Sequence, residues 1–266
     1  MRSLNSPPPP PQPPPPPLLS SLREAWLDAL AVLAPTECSG CGVPDRALCN
    51  ACRTALQPVP LRVDLPGLPV WAALDYQAVP RAVLVAFKDG GRTDAAPALA
   101  AALRAAIEAS LRDAADRGGR GGGSRGSGSG GGSGSRAGVH IATVPSTRAA
   151  FRRRGYRPVE MLLARAGLRS ERVLRPVRRT VDQASLGVAQ RAVNRAGSLR
   201  AGPRAAGCSY LLVDDILTTG STLREAARAL RAAGGRVVGA AVVARTERRD
   251  GVNGWDYDPV GFTGDL

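Results

Sequence analysis

Lysine is almost missing from this chain: Lys88 is the single lysine, and arginine supplies the rest of the 36 basic residues. A lone ammonium kept against that bias hints at a position that wants a compact point charge rather than a planar guanidinium. A stray surface lysine explains the composition equally well. Histidine is as scarce. His140 stands alone on a strand-like stretch, where a satisfied core or edge histidine is the ordinary reading. Five cysteines in 266 residues are too few for a disulfide scaffold. No apolar run reaches the ~18 residues of a membrane-spanning helix, which excludes a helical membrane protein. Arg23, Glu24 and Asp28 interrupt the only stretch that resembles a secretion signal, so a cytoplasmic location is expected.

The charge is uneven. The total is +14, and from Pro145 to Arg204 fifteen Arg stand against Glu160, Glu171 and Asp182, so +12 falls in sixty residues. A local field of that size points to phosphates. Residues 1–18 hold a proline-rich tract, expected to be disordered. A Gly/Ser/Arg-rich insertion at 117–138 reads as a flexible linker on a surface loop. Residues 19–58 read as an amphipathic helix, Leu19–Leu33, followed by a cysteine module. Strands are expected at Val70–Gln77, Val139–Val144, Arg172–Leu174, Tyr210–Val213 and Arg236–Val243. Helices are expected at Pro80–Lys88, Asp94–Asp113, Tyr156–Gly167 and Ser221–Ala233. This alternation over 70–245 argues for an α/β fold, a parallel sheet with helices on both faces. The tail 246–266 is polar and receives no role.

Cys38-Ser-Gly-Cys41 and Cys49-Asn-Ala-Cys52 form two CxxC pairs seven residues apart. Two-residue spacing lets both thiolates of a pair face one ion, and two pairs close a tetrahedral site of the structural zinc kind. Cys208 stands apart and reads as a small buried hydrophobe.

The sharpest chemical signal is Tyr210–Thr222, YLLVDDILTTGST. Apolar residues carry the chain through the sheet, and Asp214 and Asp215 emerge at the carboxyl end, where open α/β sheets bind ligands. The loop Thr218, Thr219, Gly220, Ser221, Thr222 runs directly into a helix, whose N-terminus favours an anion. A carboxylate pair beside a phosphate cradle suits a sugar phosphate. A Walker-type loop is excluded because no Gly-Lys-Ser/Thr follows.

This segment resembles the ribose-phosphate motif of type I phosphoribosyltransferases. In chain order, the four cysteines, FKDGGR (Phe87–Arg92), VPSTRAAFRRRGY (Val144–Tyr156), RRTVDQASLGVAQRAVNRAG (Arg178–Gly197) and VDDILTTGST together resemble the ComF family of competence-associated proteins. The resemblance implies a type I phosphoribosyltransferase-like sheet behind a small four-cysteine zinc module. It implies that Asp214 and Asp215 hold the ribose hydroxyls of phosphoribosyl pyrophosphate, directly or through Mg²⁺, with Thr218–Thr222 around the 5′-phosphate. Ser146, Thr147 and Arg148 fall where such folds bind pyrophosphate. Lys88 and Arg92 match a family stretch, and Arg179, Gln183, Arg191 and Asn194 match a polar series that implies a flap. Where the family reads Asn-Gln after Arg-Gly-aromatic, this chain has Arg157 and Pro158, and the long insertion at 117–138 is atypical.

The chemistry implied is displacement at the anomeric carbon with pyrophosphate leaving. Its requirements are electrostatic, and no dedicated nucleophile is needed. The alternative is a non-catalytic nucleic-acid-binding factor in DNA uptake, meeting single-stranded DNA or a competence-machinery protein through the zinc module and the Arg-rich face, Arg152–Arg154 included. Only Phe151 and Tyr156 could act there as stacking platforms. The acceptor base and the oligomeric state have no signature in the sequence.

Overall fold

The computed structural model describes residues 37–120, 138–146, 148–177 and 197–247. In chain order the first elements are α1 (Asn50–Ala55), β1 (Leu61–Leu65), β2 (Leu68–Asp75), α2 (Ala78–Lys88), α3 (Ala96–Arg120) and β3 (Val139–Thr143). Then come α4 (Arg148–Arg154), α5 (Pro158–Arg165), β4 (Leu174–Pro176), β5 (Leu199–Ala201), β6 (Ser209–Leu217), α6 (Ser221–Ala232) and β7 (Arg236–Arg245). The expected tail at 1–18, the helix Leu19–Leu33, the insertion beyond Arg120, the series 178–196 and the residues after Glu247 lie outside the described residues.

The main sheet has the order β1-β2-β7-β6-β3. β2, β7, β6 and β3 are parallel, and β1 pairs antiparallel with β2 at one edge. The mixed α/β architecture with a mostly parallel sheet follows from strands such as Tyr210–Val213 and Ala240–Ala244, which are buried along their whole length. Alternation sorts their side chains between two layers. Leu211, Val213, Ala241 and Val243 face α2, α3 and α5 through Val83, Leu84, Leu99, Leu103 and Leu162. Tyr210, Leu212, Ala240 and Val242 face α6 and the small β4–β5 sheet through Leu223, Leu230, Leu174 and Leu199. Each fully buried Leu or Val in these layers contributes about 1.5–3 kcal/mol.

Several boundaries differ from the expected ones. The Ala-rich helix does not end at Asp113 but runs to Arg120, so the first four residues assigned to the linker are helical. Arg117 anchors the extra turn, bonding Asp113 at 3.3 Å and donating to the Val238 carbonyl at 2.7 Å. The helix expected at Tyr156–Gly167 starts only at Pro158, which takes the first helical turn, and a separate short helix, α4, precedes it. The strand expected at Tyr210–Val213 continues to Leu217, so both acids lie within β6. β1 is not among the expected strands. Pro66-Gly67 between Leu65 and Leu68 is the turn signal that marks it, because those two leucines pair across a two-residue hairpin.

Candidate active site and cysteine cluster

β6 delivers Asp214 and Asp215 to the carboxyl end of the sheet, beside the loop that opens α6. Asp215, two residues beyond Val213, continues the series that faces α2. There its Oδ2 lies 2.9 Å from Nζ of Lys88, the last residue of α2. Both side chains are about four-fifths covered, at 21 % and 17 % exposure. Burial works against the Lys88 charge, but Asp215 and, behind it, Asp214 outweigh that and hold the ammonium above the ordinary lysine range. Arg154 pushes the other way. Asp214 accepts the main-chain N–H of Asp215 at 2.9 Å, which fixes the orientation of its carboxylate.

The loop is tight. Gly220 caps α6 in the left-handed region at φ 68°, and a β-carbon there would run into the side chain of Leu65 on β1. Only glycine fits both conditions. Thr219 Oγ1 accepts the Ser221 N–H at 3.3 Å and donates to the Ser221 hydroxyl at 3.0 Å, so the loop hydroxyls are ordered among themselves. Thr218, Thr219, Ser221 and Thr222 are half-buried. The first turn of α6 with its main-chain amides and hydroxyls forms an anion cradle a few residues from two carboxylates.

The FKDGGR stretch turns out to be a junction. Lys88 bonds Asp215. Phe87 stacks at 5.6 Å against Tyr156, whose hydroxyl donates to the Phe87 carbonyl. Asp89 Oδ1 accepts from Arg153 at 3.1 Å and Arg154 at 3.0 Å. Arg92 turns to the cysteine module, bonding Asp94 at 2.9 Å and donating to the Glu37 carbonyl at 2.7 Å. The structure therefore brings Lys88, Asp214, Asp215 and the Thr218–Thr222 loop together, and it places Arg92 at a different seam. Ser146 is exposed just after β3, and Arg148 opens α4. Thr147, Arg179, Gln183, Arg191 and Asn194 lie outside the described residues. Of the Arg152–Arg154 run, two members are engaged by Asp89, while Arg152 is exposed to solvent.

Sequence reasoning missed Asp89, which joins α4 to α2, and Glu225. Glu225 is buried on α6. It accepts the Leu199 N–H at 2.9 Å and is paired with Arg228 at 2.7 Å, while Arg228 donates to the Leu199 carbonyl at 2.9 Å. Arg228, aided by the Leu199 and Gly197 amides, holds the Glu225 carboxyl below the usual range in spite of burial. These bonds anchor the chain where it enters β5. An Ala-rich amphipathic helix with Glu and Arg three apart was the available signal, but it reads as a surface pair.

His140 is less satisfied than expected. Its Nδ1 bonds Glu171 at 2.7 Å, but Nε2 is buried with no hydrogen-bond partner. A cavity of about 1170 Å³ opens beside Glu171, lined also by Arg172, Arg175, Arg200 and Arg204. None of the acid pair or the loop lines it. Carboxylates, ammonium and helix N-terminus converge at the acid pair instead, which makes it the candidate site.

The four cysteines gather as their spacing demanded. Their sulfurs all lie within 4.8 Å of one another, and Cys41 Sγ is 3.7 Å from Cys49 Sγ. Sulfurs ~2.3 Å from a tetrahedral ion stand about 3.8 Å apart, so the cluster has the size a metal ion requires. Cys49 caps α1, where its sulfur accepts the Cys52 N–H at 3.4 Å, and Cys38 Sγ accepts the Cys49 N–H at 3.3 Å. A β-carbon on Gly40 would come within 2.7 Å of Cys52 Sγ, so the turn closes only with glycine. Burial disfavours the Cys38 thiolate, but the amides of Cys49, Gly40 and Cys41 outweigh it and bring the thiol down to about 6. Burial and the neighbouring thiols push Cys52 up. A cluster with one ready thiolate and one reluctant thiol loses protons on taking a metal. Cys38, Cys52, Leu48 and Leu56 share a core with Val83, Leu84 and Phe87, so the module is packed onto α2. Cys208 is buried well away from the cluster, donating to the Arg204 carbonyl.

Among the described residues, no helix is long and apolar enough to cross a membrane. No curated protein matches the chain. Residues 153–263 match the phosphoribosyl transferase domain family, a stretch that holds β6, both acids, the Thr218–Thr222 loop, α6 and β7.

Proposed function

We propose that the chain binds phosphoribosyl pyrophosphate with Mg²⁺ and transfers the phosphoribosyl group to an acceptor. The observation that carries this reading is the convergence of Asp214 and Asp215 with the Thr218–Thr222 cradle and the Lys88 ammonium on Asp215. The loop amides and hydroxyls would bind the 5′-phosphate. Asp214 and Asp215 would accept from the ribose hydroxyls. Lys88 would leave Asp215 to meet the diphosphate, and Ser146 and Arg148 would lie along it. Two carboxylates at a strand end are the hard oxygen donors that suit Mg²⁺ beside a substrate phosphate. When bound, the ion supplies neutralising charge to the departing diphosphate. The protein's own contribution is positioning the ribose and stabilising negative charge as it grows on the leaving group.

The cluster Cys38, Cys41, Cys49 and Cys52 is read as a structural zinc site, which suits its four thiolates and closed geometry. We read the chain as a zinc module at 19–58 ahead of a phosphoribosyltransferase-like domain at 70–245, with the ComF resemblance supporting a part in DNA uptake. A second reading, direct contact with single-stranded DNA, is favoured by one observation. Arg175 and Arg200 are directly paired across β4 and β5, like charges that disfavour the pairing unless an anion joins them. Single-strand affinity that is insensitive to salt would remove this second reading.

Calorimetric titration with phosphoribosyl pyrophosphate and Mg²⁺ tests the main reading. Wild type should bind, and Asp214→Asn with Asp215→Asn should abolish Mg²⁺-dependent binding. Unchanged affinity in the double variant would overturn it.

A further inference from the structure

Arg153 and Arg154 are neighbours that bond the same oxygen of Asp89, yet they are not equivalent. The Arg153 side chain is 69 % exposed and that of Arg154 only 14 %. Arg154 is the last residue of α4. Its Nε is buried without a hydrogen-bond partner, which is rare for a charged donor and asks for an acceptor. The guanidinium is also close enough to Lys88 to disfavour the ammonium charge there. Two largely covered cations therefore share one neighbourhood, linked by consecutive residues, since Arg154 bonds Asp89, which follows Lys88. Asp215 of β6 restrains one, and Asp89, the residue that caps α2 just after Lys88, restrains the other. Tyr156 fixes the spacing, since its hydroxyl bonds the Phe87 carbonyl and its ring packs on Phe87.

We infer that Arg154, oriented by Asp89, is the second cation of the diphosphate subsite and completes a pair with Lys88, whereas Arg153 only braces α4 from outside. This rests on the phosphoribosyl pyrophosphate reading above. A ligand that engages Asp214 and Asp215 leaves Lys88 without its counter-charge in the neighbourhood of Arg154, with one guanidinium N–H still unpaired. A diphosphate supplies both the charge and the acceptor oxygens. A phosphate monoester in the Thr218–Thr222 cradle supplies neither at that point.

The test compares wild type with Arg154→Gln, Arg154→Lys and Arg153→Gln by calorimetry. The probes are Mg²⁺-pyrophosphate, phosphoribosyl pyrophosphate and ribose 5-phosphate. Loss of a charge-assisted bond to a diphosphate corresponds to roughly tenfold or more in affinity. Arg154→Gln should show that loss for both diphosphate ligands and bind ribose 5-phosphate as wild type does. Arg154→Lys should recover part of it, and Arg153→Gln should stay within about twofold. Equal weakening of ribose 5-phosphate would show that Arg154 merely supports the fold. Undiminished pyrophosphate binding in Arg154→Gln would overturn the inference while leaving the wild-type reading intact. Failure of wild type to bind phosphoribosyl pyrophosphate would overturn both.

Discussion

Lys88 Nζ sits 2.9 Å from Asp215 Oδ2, so the one lysine of the chain is bonded to the second acid of the β6 pair. The contact ties the C-terminal end of α2 to the strand that leads into the anion cradle. It also neutralises one carboxylate inside a largely covered site, where an unpaired charge would be expensive.

Removing Asp215 should expose that dependence. Burial and Arg154 both disfavour the ammonium, and Asp215 is the main group opposing them. Asp215→Asn should therefore lower the Lys88 pKa and speed its acylation at mildly alkaline pH, as read by peptide mass spectrometry. Because Lys88 is the only lysine, the signal needs no deconvolution beyond the chain's amino terminus. In wild type the raised pKa means that the pair stabilises fully below the unfolded lysine value of ~10.4 and is lost as pH rises through the folded value. An unchanged acylation rate in Asp215→Asn would show that the pair does not persist in solution.

Gly220→Ala should destabilise the protein through two separate causes. The left-handed backbone at φ 68° disfavours a β-carbon by about 1–2 kcal/mol. The collision with the tip of Leu65, a half-buried side chain that can swing aside, adds up to about 1 kcal/mol. Leu65→Ala in the same chain should relieve only the second. Urea unfolding of the two single variants and the double variant should then show a favourable coupling of about 0.5–1 kcal/mol. Strict additivity would mean that β1 does not rest on the loop.

Glu225 should govern part of the acid limb of stability. Its carboxyl is held below the usual range, chiefly by Arg228. Its contribution is therefore present above the unfolded value of ~4.3 and lost as pH falls through the folded value. Glu225→Gln keeps the shape and removes the charge. It should cost about 1.5–3 kcal/mol at neutral pH and flatten the fall in stability below about pH 4.3. Chemical denaturation across that pH range checks both effects, and a parallel acid limb in the variant would contradict the assignment.

Cys49→Ser should abolish stoichiometric zinc and lower the melting temperature. The cysteine cluster shares its core with Val83, Leu84 and Phe87 of α2, so loosening it should be felt by the whole sheet rather than by the module alone. Metal analysis and a thermal scan decide this. One zinc per chain retained in the variant would refute a four-thiolate site.

The sequence alone carried the features that depend on near neighbours. The two CxxC pairs announced a cluster because two-residue spacing forces their sulfurs onto one side of a turn. YLLVDDILTTGST announced a strand, an acid pair and a helix entry because apolar run, carboxylates and Thr-Gly loop are consecutive. What it could not carry were contacts between stretches distant along the chain. Nothing near Lys88 says that its partner is Asp215, far along the chain, because that pairing comes from the parity of β6 and the packing of α2 on the sheet. Likewise, Arg92 looked like a companion of Lys88, but the turn after α2 sends it to Asp94 and Glu37. The run Arg152–Arg154 looked uniform, but packing against Asp89 buries one guanidinium and leaves another in solvent. Local spacing determines which groups can act together within a loop. Only packing decides which of two identical side chains loses its water, and charge has chemical force where water has been removed.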